Sequence, residues 1–198
     1  METIDAITKR RSIRKFIDKE IPIEIVEKIL DSAIKAPSPK NRQPWKFIVI
    51  TNKDKSSMIE AMQTGIENEK KLEGLLPNSL RFISGAEYTM KIMKQAPITI
   101  LIFNTQENYL WDEQSIESKF FNTANIQSIG ASIENMLLTA TDLGIGSLWI
   151  CDIFFAYREI CQWLGEKQQL IAAISLGYAD ESPHPRPRKK FNDIVEWR

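Results

Sequence analysis

Histidine and cysteine are scarce in this chain of 198 residues. It contains one histidine, His184, and two cysteines, Cys151 and Cys161, which form no CxxC pair. A zinc site of ordinary ligand spacing needs more such ligands, so no metal site is expected. A disulfide framework is equally disfavoured, which suits a reducing cytoplasm. The lone histidine, in a proline-rich tail, also argues against a Ser/His/Asp catalytic set.

A surplus of either charge is also missing, because 26 Lys and Arg residues balance 26 Asp and Glu residues. Proteins that coat nucleic acids or bind anionic membranes usually carry excess positive charge, so neither partner is expected. The longest apolar run, around Ile98–Phe103, is far too short to cross a bilayer. The acidic start Met1–Asp5 lacks the basic and apolar regions of a signal peptide. These absences predict a cytoplasmic protein.

Helical and strand patterns interleave along the chain and predict a small sheet flanked by helices. Glycine and proline punctuate the stretch 72–94, which is left without an assignment. Residues 191–197 are expected to add a last strand after an extended tail. The predicted helices cover 4–9, 23–34, 53–71, 115–143 and 154–164, and the predicted strands cover 45–51, 98–104, 146–150 and 170–178. This alternation predicts an α+β or α/β domain.

The predicted helix 115–143 is apolar over most of its circumference. Phe120 and Phe121 are adjacent and cannot point the same way on one helix. A helix of this kind is buried on several sides. One side is expected to face a second subunit; the alternative is a central core helix of a monomer.

Two clusters of basic residues lie near opposite ends of the chain. The arginine guanidinium donates two parallel hydrogen bonds to phosphate, and Ser12 adds a hydroxyl donor. Folded onto one another, the clusters would form a phosphate pocket; taken alone, solvated surface charge is the simpler interpretation. They comprise Lys9, Arg10, Arg11, Arg14 and Lys15 in one, and Arg186, Arg188, Lys189 and Lys190 in the other.

The loop 36–45 combines small polar donors with several prolines. Rigid amide and hydroxyl groups suit the edge of a flat heteroaromatic ring, although a proline-stiffened turn is the alternative. Gly144-Ile145-Gly146 lacks the third glycine and the strand-to-helix context of a dinucleotide motif. With no nucleophile, metal cluster or paired carboxylates in evidence, a bound cofactor is expected to carry any chemistry.

Four segments, taken in order, resemble the FMN-dependent nitroreductase family. They are RRSIRKF at 10–16, PSPKNRQPW at 37–45, ENMLLTATDLGIGSLWI at 134–150 and PRPRKKFNDIVEW at 185–197. The least matched part is 65–95. The resemblance implies an α+β nitroreductase-like fold, with a small, mostly antiparallel sheet flanked by helices. It also implies one domain over 1–198 and an intertwined homodimer, with the tail from about 182 to 198 wrapping onto the partner.

The resemblance further implies a tightly bound FMN. In the opening motif, Arg10 and Ser12 match residues at the phosphate, with Arg11 between them, and Arg14 lies near the N1–C2 carbonyl region of the ring. A fixed cation there would stabilise the negative charge that reduction brings. The C-terminal pair Arg186 and Arg188 matches residues on the phosphate.

Two further segments complete the implied cofactor site. Ser38 and Asn41 match the loop that reaches the flavin from the partner subunit. Ile150, Cys151 and Asp152 match the backbone along the flavin face, which donates an N–H to N5. Family members often have Gly or Glu-Gly there, so the N5 donor stays open. Asp152 would disfavour the reduced anion unless its carboxylate turns away, and Cys151 is either a small packed residue or a reactive thiol.

The function implied by the resemblance is a ping-pong oxidoreductase. NADH or NADPH delivers hydride to the flavin and leaves, and a nitroaromatic or quinone then takes its place. No catalytic side chain is required as acid or base. The alternatives are a dehalogenase-like or flavin-fragmenting relative, a non-catalytic flavin-binding redox module, and a nucleic-acid-binding basic patch.

Overall fold

The computed structural model describes residues 1–107 and 115–198. Its helices are α1 (Thr3–Lys9), α2 (Ile23–Ala33), α3 (Lys55–Lys70), α4 (Ile83–Gln95), α5 (Ile116–Asp142) and α6 (Tyr157–Leu164). Its strands are β1 (Trp45–Ile50), β2 (Ile98–Asn104), β3 (Gly146–Ile150) and β4 (Gln169–Gly177). Short 3₁₀ helices cover Pro39–Asn41, Pro77–Phe82, Asp152–Ala156 and Phe191–Asp193. Within these residues, no helix combines the length and apolarity that crossing a membrane requires.

The strands form an antiparallel sheet in the order β1-β2-β4-β3. β2 is buried along its whole length, as expected of a central strand that is covered on both faces. The segment after α1 extends the β3 edge, since the Ile13 N–H donates to the Ser147 carbonyl at 2.9 Å. Phe16 forms a further bridge to Ala179. The sheet therefore draws the first basic segment against β3 and the chain that follows β4.

Alternate residues of β2 serve two separate cores, because successive side chains of a strand point to opposite faces. Leu101 and Phe103 pack in the cluster with α3, α4 and α6. Ile100 and Ile102 pack in the cluster with α2 and α5. The expected small antiparallel sheet between helical layers is confirmed.

α5 buries polar residues and exposes aromatic ones. Asn122 is buried and its carbonyl oxygen accepts a hydrogen bond from Asn104 at 3.1 Å. By contrast, Phe120 is 74% exposed and Ile116 is 75% exposed. The N-terminal part of the apolar surface predicted for this helix is therefore not covered by the helix's own chain, whereas Ile129, Ile133 and Met136 further along are buried.

The main differences from the predicted elements lie after β3 and at the tail. The chain after Ile150 forms a 3₁₀ helix, Asp152–Ala156, before α6 begins at Tyr157. The strand predicted at 191–197 is wrong: Phe191–Asp193 is a short 3₁₀ helix, held by the Asp193 N–H donating to Lys190 O. α4 occupies much of the stretch that the sequence left unassigned.

Candidate functional site

A cavity of about 370 Å³ brings together the arginines of the two basic clusters, but not their lysines. The cationic side chains of both chain ends line it together, with Ser12 among them. The arginines are Arg10, Arg11, Arg14, Arg186 and Arg188. Bringing like charges together costs electrostatic free energy unless an anion is bound between them. Guanidinium groups match the geometry of a phosphate anion. The predicted meeting of the two clusters is what the fold produces.

Backbone contacts fix the first basic segment at this cavity. Ile13 packs so closely on β3 that a Cβ at Gly146 would lie 3.0 Å from its side chain. The Arg14 N–H donates to the carboxylate of Glu181. The first contact joins the N-terminal motif to β3, and the second joins it to the residue just before the tail. The guanidinium groups are thus carried by a segment with little freedom to move.

The arginines of the cavity have different partners. The Arg10 Nε lies 3.2 Å from a carboxylate oxygen of Glu134 on α5. Arg11 Nη1 donates to the carbonyls of Thr8 and Arg10 at 2.7 and 2.8 Å. Arg11 therefore caps the C-terminus of α1, where carbonyls lack helical partners and a cation is favoured. Its role is structural as well as electrostatic.

A second cavity, of about 340 Å³, shares Arg14 with the first. Its wall includes the end of β3 and the residues after it, Trp149 to Asp152. α4 closes the other side with Gly85, Tyr88 and Thr89. The cavity brings Arg14, Ile150, Cys151 and Asp152 together, as the sequence predicted.

The carboxylate of Asp152 turns towards α4. Thr89 is 8% exposed, and its hydroxyl donates to Asp152 Oδ2 at 2.6 Å. Hydrogen bonds to a charged group are among the stronger ones in proteins. Thr89 thereby orients a carboxylate that the sequence left without a direction. Thr89 lies 63 positions before Asp152, in the stretch for which the sequence predicts no element.

The Cys151 thiol next to this carboxylate is not activated. Burial raises its pKa, and the negative charge of Asp152 raises it further. Because the thiolate is the reactive form, a raised pKa disfavours nucleophilic chemistry. The raised pKa argues against the reactive thiol, but Cys151 is exposed in the cavity wall and is not the small packed residue of the other interpretation.

Ser38 and Asn41 lie apart from these cavities. Their loop precedes β1, which stands at the opposite edge of the sheet from β3. With strands about 4.8 Å apart, the two edges are separated by about 14 Å. Lys40, Asn41 and Gln43 all have left-handed backbones, with φ of 55°, 54° and 48°. Such strain collects at functional sites, but one chain does not bring this loop to the arginines.

The Nitroreductase family model matches residues 7–178, which include the opening basic motif, the sheet and α5. The chain belongs to the nitroreductase family. Its membership makes it an oxidoreductase, and the nitroreductase fold predicted from sequence is confirmed by solved structures.

Relatives of the chain support this family assignment over nearly its full length. A protein of Archaeoglobus fulgidus, which bears the provisional name NADH dehydrogenase/NAD(P)H nitroreductase, is 31% identical and covers 96% of this chain and 94% of its own. A BluB-like flavoprotein from Clostridium difficile 630 is 27% identical, with a TM-score of 0.83 over 100% and 99% of the two chains. The FMN-dependent nitroreductase NfnB from Mycobacterium smegmatis, solved in complex with NADPH, shares the fold at 21% identity and a TM-score of 0.74 over 98% and 97%.

Sequence reasoning missed several residues at this nitroreductase-family site. Glu134 contacts Arg10, and Glu181 contacts Arg14. Both glutamates lie in or next to the segments that resemble the family, but nothing in the sequence indicates that a carboxylate stands beside a phosphate pocket. His184, which was set aside as a tail residue, lines the basic cavity. No cluster of three or more metal-binding side chains occurs within 1–107 and 115–198.

Proposed function

We propose that this chain is an FMN-dependent oxidoreductase that passes hydride from NADH or NADPH to small electron-poor acceptors. The observation that carries the proposal is the basic cavity, which shares Arg14 with a second cavity along the end of β3. When bound, FMN supplies hydride uptake and release at N5. Overall, NADPH and one proton convert a nitro group to nitroso and water, or a quinone to its hydroquinone.

The residues of the two cavities fit this cofactor. Arginines from both chain ends, with the Ser12 hydroxyl, provide the donors that a phosphate dianion takes. Arg14 lines both cavities, so it suits the junction between a phosphate arm and a ring. There it would offer a cation to the negative charge that reduction places on a bound flavin.

The protein's own contribution is binding and orientation. Arg14, Thr89 and Asp152 are polar residues that line the second cavity. The Thr89 hydroxyl donates to the Asp152 carboxylate. None of them is required as a proton donor, because solvent reaches a groove of this kind. We propose ping-pong turnover, in which nicotinamide and acceptor use the same space in turn.

A homodimer completes the proposed site. The Ser38–Asn41 loop would reach the partner's cofactor, since it stands at the wrong edge of its own sheet. Exposed Phe120 on α5 and Trp197 in the tail, 74% and 85% exposed, supply apolar surface for the partner. Surfaces of this type mark subunit contacts. We propose that the tail from about 182 to 198 wraps onto that partner and that the enzyme works in the cytoplasm.

The test is an absorbance spectrum of the purified protein before and after NADH or NADPH is added without oxygen. A flavin spectrum that bleaches within the mixing time supports the proposal. A flavin that stays oxidised indicates a binding module, and a colourless protein that takes up no added FMN overturns the assignment. A turnover screen of nitro, quinone and halogenated acceptors distinguishes the dehalogenase-like alternative from the proposed function.

Variants connect the result to the cavity. Arg10→Ala and Arg188→Ala are expected to weaken FMN binding by about tenfold or more, since each removes a charge-assisted contact. Lys28→Ala on the exposed side of α2 is the control, because it removes one charge away from the cavity. FMN affinity equal to the wild type in both arginine variants would remove these residues from the phosphate site.

A further inference from the structure

The cavity along β3 continues into a third cavity of about 400 Å³. The two cavities share Gly85, Cys151 and Asp152, so they form one groove. We call it the acceptor groove. Its inner part comprises Arg14, Tyr88, Thr89 and Trp149, and the three shared residues lie in the middle. Its outer part comprises Leu76, Ser79, Arg81, Phe82, Ser84, Phe154 and Phe155. A Cβ added at Gly85 would meet nothing within 4 Å, so the junction is open.

The outer part of the acceptor groove joins aromatic walls to one cation. The Arg81 guanidinium lies 4.8 Å from the ring centre of Phe82, which is 53% exposed. Among the described residues, no carboxylate forms an ion pair with Arg81. The first turn of α4, which includes Ser84 and Gly85, carries no acidic residue. Its positive dipole end adds to the charge of Arg81.

Charge alternates along the acceptor groove. Arg14 stands at the inner end and Asp152 in the middle, and Arg81 stands at the outer end. The Asp152 carboxylate is engaged by the Thr89 hydroxyl and so turns towards α4. An acid group on a substrate meets an unpaired cation only at the outer end of this groove, because Arg14 at the inner end is proposed for the cofactor.

We propose that Arg81 binds the acid group of the acceptor, so that the preferred substrates are aromatic acids with an electron-poor group opposite the acid. This assignment rests on the proposed function and adds a substrate class to it. The electron-poor group lies at the shared residues Gly85 and Asp152, next to the cofactor space of the inner part, and the ring lies between the phenylalanines of the outer part. The carboxylate or sulfonate reaches Arg81. The 2′-phosphate of NADPH could use the same cation, and the experiment separates the two sources.

The first measurement is a binding titration of the oxidised holoprotein, followed through its flavin absorbance. Benzoate is expected to bind about fivefold more tightly than benzamide, which is the upper range for an exposed ion pair. This preference should shrink as salt is added, because exposed charges are screened. Arg81→Met is expected to bring the ratio close to one, and Arg81→Lys to retain most of it. Lys91→Met, which removes an exposed charge from α4 outside the groove, keeps the ratio.

The second measurement compares kcat/KM for 4-nitrobenzoate and 4-nitrobenzamide in the same variants. An acid preference that disappears in Arg81→Met but survives in Lys91→Met supports the proposal. An unchanged preference in Arg81→Met overturns it. The proposal is also overturned if Arg81→Met slows flavin reduction by NADPH but not by NADH and keeps the acid preference. That result would assign Arg81 to the dinucleotide phosphate. A protein that reduces the amide without any acid preference overturns this proposal alone, whereas one that binds no FMN overturns the proposed function.

Discussion

A methyl group added at Gly65 on α3 is predicted to destabilise the fold. A Cβ there would lie 2.4 Å from the Cα of Ala156 and 2.8 Å from the carbonyl oxygen of Phe155. Both atoms belong to the backbone of the 3₁₀ helix Asp152–Ala156, which begins at the acceptor groove. Because carbon contacts are ordinary from about 3.5 Å, α3 and this helix would have to separate by about 1 Å.

The expected loss combines two opposing effects. Overpacking of a core typically costs about 1–3 kcal/mol, and a backbone clash belongs at the upper end. Alanine returns about 1 kcal/mol through its better helix propensity. Gly65→Ala is therefore expected to lower the free energy of unfolding by about 2 kcal/mol. For a chain of this size, the change corresponds to a fall in Tm of about 6 °C.

Urea unfolding at one fixed protein concentration measures this effect, since the apparent stability of the proposed dimer depends on concentration. Gly85→Ala is the matched control, because it makes the same change in a helix with open space around the new Cβ. It is expected to gain about 1 kcal/mol. A Gly65→Ala protein as stable as the wild type would refute the close packing of α3 on the 3₁₀ helix.

Three further predictions concern single contacts. Thr89→Val is expected to lower the free energy of unfolding by about 2 kcal/mol. Thr89→Ser is expected to lower it by much less, because serine can still donate to Asp152. Equal losses for the two variants in urea unfolding would contradict the hydrogen bond. Asp152→Asn should lower the pKa of Cys151 and speed its alkylation by iodoacetamide at pH 8, whereas an unchanged rate would exclude their coupling. Ser115→Ala should cost about 1 kcal/mol of thermal stability, since Ser115 caps α5 through the Ser118 N–H, and an unaltered Tm would contradict that cap.

The strands could be predicted from short runs rich in apolar and β-branched residues, and α5 from a long series of apolar residues that ends at Gly144. Five of the seven residues of β2 are apolar, and α5 differs from its predicted range by one residue at each end. α4 could not be assigned, because Gly85 interrupts a stretch whose polar residues outnumber its buried ones. The strand predicted at 191–197 is wrong because no strand among residues 1–107 and 115–198 pairs with this segment, and a strand without a partner is not stable.

The candidate site divides in the same way. Arg10, Ser12 and Arg188 could be predicted to meet from their motif and charge, and the fold places them in one cavity. The direction of Asp152 could not be predicted, because it depends on Thr89 on an unassigned helix. The role of Arg11 as a helix cap was equally hidden, since a guanidinium gives no sign in sequence of which carbonyls it will reach.

The contact between the Arg14 N–H and Glu181 joins residues 167 positions apart. Its consequence concerns biosynthesis. The arginines of the first motif leave the ribosome early, but the cavity they line is unfinished until the segment with Arg186 and Arg188 has followed. A nascent chain therefore carries its first cluster of positive charge without the walls that enclose a ligand, and cofactor loading belongs to the time after most of translation is complete.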